Sequence, residues 1–336
     1  MTGIPVRVYD TNQGNTGIPV YGIINYLLNV AGERGSKMKN VGFIGLGIMG
    51  LPMAKNLLQA DVPLMVSDLN KEAVAKAVEL GAEAGDYQTI GRKCDIIVTI
   101  LPNGAIVQDV LFGKNGLAET LTEGKIVCDM SSVTPTESQT CYNKLAAIGV
   151  GFVDAPVSGG EPGAIAGTLA IMCGGDEKDF DGMAPVFDIL GSSAQLIGPS
   201  GSGSVTKLAN QVIVNLNIAA VSEALVLATK AGADPMKVYK AIRGGLAGSA
   251  VLDAKAPMIC ARNFKPGGKI SINHKDIKNV LATAHTIDVP MPFTAQLFEV
   301  QQALKVGGHM DDDHGGYVQF FEQLADVIVK SDVTAE

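Results

Sequence analysis

The stretch from Val41 to Leu58, VGFIGLGIMGLPMAKNLL, constrains this chain more than any other. Its apolar run Val41-Gly42-Phe43-Ile44 reads as a short buried strand, and three glycines follow as G-x-G-x-x-G at Gly45, Gly47 and Gly50. Helix formers continue from about Ile48 and Met49, with Leu57 and Leu58 on one face. Strand, glycine turn and helix in this order make a dinucleotide site. Gly45 permits the tight turn, Gly47 lets a pyrophosphate approach the backbone, and Gly50 lets helix and strand pack closely. The helix start offers free N–H groups to the phosphates. A second apolar run, Leu64–Ser67, ends in Asp68, 23 residues after Gly45. That is near the spacing of about 20 at which a carboxylate accepts the ribose hydroxyls of NAD. A chain with 40 glycines matches a bare glycine pattern by chance. The flanking strand, the helix and Asp68 make this match specific.

The 336 residues suffice for two domains, and 47 % hydrophobic with 18 % charged residues can bury large cores. A net charge of −8 without a basic block argues against nucleic acid or an anionic membrane surface as partner. The five cysteines (Cys94, Cys128, Cys141, Cys173, Cys260) are scattered, odd in number and lack a C-x-x-C spacing. They read as reduced thiols of a cytoplasmic protein, not as a disulfide or zinc framework. The most apolar segment, Val212–Leu227, carries Asn215, Asn217, Ser222 and Glu223, so no membrane span is expected, and no signal peptide is indicated at the N-terminus.

Along the chain, residues 1–37 repeat Gly-Ile-Pro-Val at Gly3–Val6 and Gly17–Val20 and lack the strand–helix alternation of the later residues; a poorly ordered N-terminal extension is expected. From 38 to 200, apolar strands at Val41–Ile44, Leu64–Ser67, Ile96–Ile100, Ile126–Asp129, Phe152–Asp154, Leu169–Cys173 and Gln195–Ile197 are expected. Helices at Met49–Gln59, Lys71–Leu80, Ala105–Leu111 and Pro135–Ile148 come between the early ones. This alternation predicts an α/β unit with a doubly wound, mostly parallel sheet. Gly198–Gly203 is a linker by composition, and a 27-residue run without Gly or Pro, Val205–Ala231, then predicts a helix of roughly 40 Å. Further helical segments and no clear strand come after it, so residues 201–330 are expected to be all-α, joined to the sheet by the long helix.

Chemistry is expected at the strand ends, where doubly wound sheets bind ligands. Asp129-Met130-Ser131-Ser132 ends one strand and Asp154-Ala-Pro-Val-Ser-Gly159-Gly160 another. Ser131 offers a hydroxyl, and Gly159 and Gly160 offer backbone N–H groups to a carboxylate; two Ser/Pro/Gly turns are the bland reading. Leu101-Pro102-Asn103 stops a third strand close to the cofactor. Lys207 and Asn210 are three apart and share a helix face. A lysine in a first helical turn, with some burial, has a lowered pKa suited to proton transfer, whereas a surface lysine is the common fate. Lys275-Asp276, by itself, is a helix-start charge pair. The four histidines have no metal spacing, and Asp311-Asp312-Asp313-His314 reads as a solvated acidic loop, so no metal is expected.

Taken together, GFIGLGIMG, DAPVSGGEPGAIAGTLAIMCGGD, TKLANQVIV and the Lys275-Asp276-Ile277 segment resemble the β-hydroxyacid dehydrogenase family in order and spacing, from about Met38 to the C-terminal region. The resemblance implies a Rossmann-type nucleotide domain and hydride exchange with a small three-carbon oxo or hydroxy acid. It favours NADH-dependent reduction of tartronate semialdehyde to glycerate; 3-hydroxyisobutyrate, glyoxylate and succinic semialdehyde are alternatives, and a silent NAD(H) sensor a more distant one. It implies Lys207 as catalytic acid/base, Asn210 as the residue orienting the reacting oxygen, and Ser131, Gly159, Gly160 and Lys275 at the substrate. The cofactor would face Gly45, Gly47, Ile48, Met49, Gly50, Asp68, Leu101, Pro102, Asn103, Ser132 and Lys275. Asp68 favours NAD(H), with NADP(H) possible. Gly268 stands where close relatives carry a bulkier, often aromatic residue. A homodimer or homotetramer through the all-α region is expected from its mostly apolar long helix.

Overall fold

A computed structural model describes residues 39–334; the expectation for residues 1–37 lies outside them. The sheet has the order β3-β2-β1-β4-β5-β6-β8-β7, with β9 on the other edge of β8. Strands β1 (Val41–Ile44), β2 (Leu64–Ser67), β3 (Glu83–Ala84), β4 (Ile96–Thr99), β5 (Ile126–Asp129) and β6 (Gly151–Asp154) are all parallel. β8 (Leu169–Gly175) runs antiparallel to β6 and to the short β7 (Val157–Ser158), and parallel to β9 (Gly191–Gly198). The strands β1, β4 and β5 are buried along their whole length, as strands covered by helices on both faces must be.

The helices α1 (Gly50–Gln59), α2 (Lys71–Glu79), α3 (Tyr87–Lys93), α4 (Gly104–Phe112), α5 (Pro135–Ala146), α6 (Gly160–Ala166) and α7 (Glu177–Leu190) cover the two faces. They build one core around Phe43, Met53, Val98 and Phe187 and a second around Ile44, Ile97, Leu111 and Phe152. Their starts are locally encoded. Asn70 accepts from two amides of α2, Asn103 from Ile106, and Thr134 with Glu137 makes a reciprocal cap on α5. Helices α3, α6 and α7 and strands β3 and β7 were not expected from the sequence, being short or glycine-containing, or, in α7, interrupted by Pro185.

Register decides where the site forms. Ile44 stands opposite Ser67 and Thr99, Thr99 opposite Asp129, and Asp129 opposite Asp154. Five strands therefore end level, and the loops that leave them emerge side by side.

The last strand ends at Gly198 and α8 (Ser202–Lys230) comes next, with α9 (Pro235–Ile242), α10 (Ala250–Cys260), α11 (Ile270–Thr286), α12 (Pro292–Val306) and α13 (Val318–Ala325). At 29 residues and a mean hydropathy of 1.8 over its most apolar window, α8 is long and apolar enough to cross a membrane, against expectation. It is packed against α10, α11, α12 and α13 and buries Lys207, Gln211, Asn215 and Ser222. These polar groups are bonded inside the fold: Asn215 links to Tyr317 at 2.8 Å, and Tyr317 to Gln301 at 2.6 Å. All five cysteines are buried and unpaired.

Candidate active site

The glycine turn is built as its spacing demands. Gly45 has a φ of +102°, and a Cβ there would lie 2.2 Å from the Ile100 carbonyl oxygen; a Cβ on Gly50 would lie 1.9 Å from that of Gly45. Turn, strand and helix thus touch through backbone alone. Gly47 has open space where its side chain would be. No side chain caps α1 and no acid occupies its first turn. Ile48 is exposed and Met49 half-buried beside this opening. An uncapped helix start behind a bare backbone is a fit for a pyrophosphate.

Asp68 follows the end of β2. Its carboxylate accepts from Leu46 N at 2.5 Å and from Asn70 N at 2.7 Å, so one side chain braces the glycine turn and the approach to α2. A cavity of about 420 Å³ opens beside it, lined by Asp68, Leu69, Lys71, Gly85 and Tyr87 among others. Its place, past the glycine turn, is that of the adenosine end of a dinucleotide.

Lys207 lies in the second turn of α8, because the helix begins at Ser202, and not in the first turn as expected. Its ammonium is buried and donates to the Val157 carbonyl at 2.8 Å. Burial lowers its pKa, the nearby Asp276 carboxylate opposes this, and Lys275 adds to it. The helix start is clamped to the same strand end. Asp154 accepts from Gly201 N at 2.7 Å and Ser204 N at 2.9 Å. Burial pushes Asp154 up to about 6 despite these bonds. Asp154 and Val157, three residues apart, therefore hold α8 at two points.

The next residues, Ser158, Gly159 and Gly160, open toward solvent. Gly159 and Gly160 have φ of +135° and +59°, conformations that side chains resist. The Ser158 hydroxyl is half-buried and makes no hydrogen bond among the described residues.

Ser131 is different. It is 2 % exposed, donates from Oγ to Asp129 at 2.5 Å, and accepts from Leu101 N at 2.8 Å. Its hydroxyl is engaged inside the fold at the strand end where it was expected to meet substrate. Asp129 Oδ1 also receives Thr99 Oγ1 at 2.8 Å, and burial raises the Asp129 pKa. This network braces the ends of β4 and β5.

Lys275 reaches from α11 to the Pro102 carbonyl at 3.0 Å and the Ser132 carbonyl at 2.7 Å, and its ammonium is 3.1 Å from Asp276 Oδ1. Two hydrogen bonds and one charge pair thus tie the helical segment to both loops beside the glycine turn. Asn103 turns its side-chain oxygen to its own helix.

Asn210 is half-buried and donates to Gln211 Oε1 at 3.1 Å. Gln211, not anticipated from sequence, is the more buried of the two and donates to Asp276 at 2.6 Å and Asn273 at 3.3 Å. At four residues from Lys207 it shares that face of the helix, which was the signal available. Asp313 also departs from expectation. It is fully buried, pairing Lys255 at 2.7 Å and accepting from the amides of Gly267, Gly268 and Gly315.

Two family models match the chain. One, the NAD binding domain of 6-phosphogluconate dehydrogenase, covers residues 40–198. The other, described as NAD-binding of NADP-dependent 3-hydroxyisobutyrate dehydrogenase, covers residues 201–321. The chain is 42 % identical to 2-hydroxy-3-oxopropionate reductase of Escherichia coli over 286 residues, 85 % of this chain and 98 % of that one. It is 37 % identical to 2-(hydroxymethyl)glutarate dehydrogenase of Eubacterium barkeri over 87 % of this chain and 98 % of the relative. Among solved structures, 3-hydroxyisobutyrate dehydrogenase of Mycobacterium tuberculosis, determined with L-serine, superposes with a TM-score of 0.78 at 25 % identity, covering 85 % of this chain and 99 % of that chain.

Proposed function

We infer the reaction from one premise: the chain belongs to the β-hydroxyacid dehydrogenase family, NAD(P)-dependent oxidoreductases of small hydroxy and oxo acids. Within it we propose reversible, NADH-dependent reduction of tartronate semialdehyde to D-glycerate. The observation that carries this reading is the buried Lys207 ammonium, held by Val157 O next to the open Ser158-Gly159-Gly160 loop. An acid/base and a carboxylate-binding loop thus meet at the strand ends. The identity to the E. coli reductase favours tartronate semialdehyde among such acids.

Residues 38–200 serve as the nucleotide domain and 201–330 as the substrate and assembly domain. The bound nicotinamide supplies the hydride. Gly159, Gly160 and the free Ser158 hydroxyl hold the substrate carboxylate, in place of Ser131. Lys207 gives a proton to the alkoxide oxygen as the C–H bond forms, and takes it back in the oxidative direction. Its charge also stabilises the developing oxyanion. Asp276, held by Gln211, supports the charged form of Lys207. Asn210 stands beside Gln211 at the reacting oxygen. Lys275 fixes the Pro102 and Ser132 loops that flank the cofactor. Asp68 receives the ribose hydroxyls and disfavours a 2′-phosphate, which makes NADH the preferred donor over NADPH. Val205, Ile213 and Leu227 are exposed within one arc of α8, and this supports a homodimer or homotetramer through the helical domain. Unpaired thiols accord with a cytoplasmic enzyme.

The test is NADH consumption with tartronate semialdehyde, glyoxylate, succinic semialdehyde and methylmalonate semialdehyde. A kcat/KM for tartronate semialdehyde at least tenfold above the others, about 1.4 kcal/mol in transition-state binding, supports the assignment. A different winner replaces the substrate and leaves the Lys207 chemistry. NADH binding without any turnover favours a sensor.

A further inference from the structure

Gly268 does not need to be glycine for its own sake. Its φ lies outside the left-handed range, and a Cβ there would make only ordinary contacts, 3.4 Å from His314 Nε2 and 3.6 Å from Cε1. What the glycine does is leave the edge of the His314 ring uncovered. The surrounding loop is held firmly. Asp313 accepts from the amides of Gly267 and Gly268 at 3.0 and 3.1 Å, and His314 N donates to the Gly268 carbonyl at 2.9 Å. The loop also meets the substrate side of the site: the Gly267 carbonyl oxygen would lie 3.7 Å from a Cβ on Gly160. His314 is thus placed across this loop from the carboxylate-binding glycines, and it is close enough to Lys207 to be affected by its charge.

The chemistry of the ring is defined by its surroundings. Burial, and then the charge of Lys255, push its pKa down to about 4 against the pull of Asp313, with Lys207 adding to the shift. At neutral pH the imidazole is uncharged, with one donor and one acceptor. Nδ1 is buried without a partner among the described residues. A proton there would be a buried orphan donor, so the tautomer with the proton on Nε2 is favoured. That N–H borders the space Gly268 leaves open.

We propose that His314, through Nε2–H, recognises the substituent on the carbon between the substrate's carboxylate and its aldehyde, and selects a hydroxyl there over a methyl group. This rests on the proposed reduction of a three-carbon oxo acid. The carboxylate lies at Gly159–Gly160 and the carbonyl oxygen at Lys207, and His314 is the third point of contact. A site with a buried donor rejects the analogue that cannot accept its hydrogen bond, because the donor loses water and gains nothing.

Tartronate semialdehyde and methylmalonate semialdehyde differ only in this group, hydroxyl against methyl. Their kcat/KM ratio is measured for the wild type, His314→Leu and His314→Gln. The expected result is a hydroxyl preference that falls at least tenfold in His314→Leu and is partly restored in His314→Gln, whose amide can donate from near the Nε2 position. An equal loss on both substrates, with the ratio unchanged, assigns His314 a structural role and overturns the proposal. The product pair, D-glycerate and 3-hydroxyisobutyrate, is titrated calorimetrically into the enzyme–NADH complex of the same three proteins. Here a glycerate preference lost in His314→Leu supports the proposal, and equal affinities in the wild type overturn it. If neither aldehyde is reduced, the proposed reaction fails, while the binding pair still decides the role of His314.

Discussion

The Lys207 ammonium donates to the Val157 carbonyl at 2.8 Å, and this bond, with the Asp154 clamp on Gly201 and Ser204, joins the helical segment to the strand end next to Gly159 and Gly160. It fixes the height of the ammonium above the sheet and leaves its other N–H donors without a partner among the described residues; in the proposed reaction they meet the substrate oxygen.

Lys207→Met therefore removes the proton donor while keeping the length and apolar stem of the side chain. Turnover is expected to fall by about 10²–10⁴-fold, the range of a lost general acid, with the NADH dissociation constant within a few-fold of wild type. Steady-state rates and fluorescence titration of NADH check the two halves separately. Lost NADH binding together with lost secondary structure would instead make Lys207 a structural residue.

Asp276 raises the Lys207 pKa against the effect of burial. In Asp276→Asn that support is gone, so the lysine deprotonates at lower pH. In the reducing direction Lys207 must be protonated to act, so the alkaline limb of the kcat profile should move to lower pH. In the oxidising direction the acidic limb should move the same way. A profile that keeps its shape while the rate drops uniformly contradicts the assignment.

Ser131 and Ser158 separate bracing from binding. Ser131→Ala leaves Asp129 with one fewer donor and the Leu101 amide without its acceptor. A loss of about 1–3 kcal/mol in stability is expected, since buried groups lose partners, with little change in substrate KM. Ser158→Ala should do the reverse, raising KM by several-fold at nearly unchanged melting temperature. Thermal melts and substrate titrations of both variants decide the matter; a larger KM effect in Ser131→Ala would return the substrate contact to that residue.

Asp68 lines the cavity beside the glycine turn and also bonds Leu46 N. Asp68→Asn with Leu69→Arg keeps an acceptor for the glycine turn while removing the negative charge and adding a positive one at the exposed Leu69 position. The kcat/KM ratio of NADPH to NADH should rise at least tenfold. A wild-type protein that already prefers NADPH would show that Asp68 does not set the choice.

Some of this site could be read along the chain because its physics is local. G-x-G-x-x-G between an apolar strand and a helix is legible within ten residues, although the space Gly45 leaves is set by the distant Ile100 carbonyl. The Asp129–Ser131 link could also have been read locally, since an aspartate side chain commonly accepts from the backbone N–H two residues on. The short helices α3 and α6 left no periodic trace long enough to detect, and Pro185 masked α7.

What the sequence by itself determined is the alternation of strand and helix, the glycine turn, the caps at Asn70, Asn103 and Thr134, and the segment bearing Lys207, each settled by near neighbours. The tertiary structure alone decided that Leu101 N meets the Ser131 hydroxyl across 30 residues, that Asp313 is buried, that Gln211 meets Asp276 across 65 residues, and that Lys275 reaches loops 143 and 173 residues away. The reason is physical. A polar side chain's role depends on which donors and acceptors share its buried space, and that is set by strand register and helix packing between distant parts of the chain.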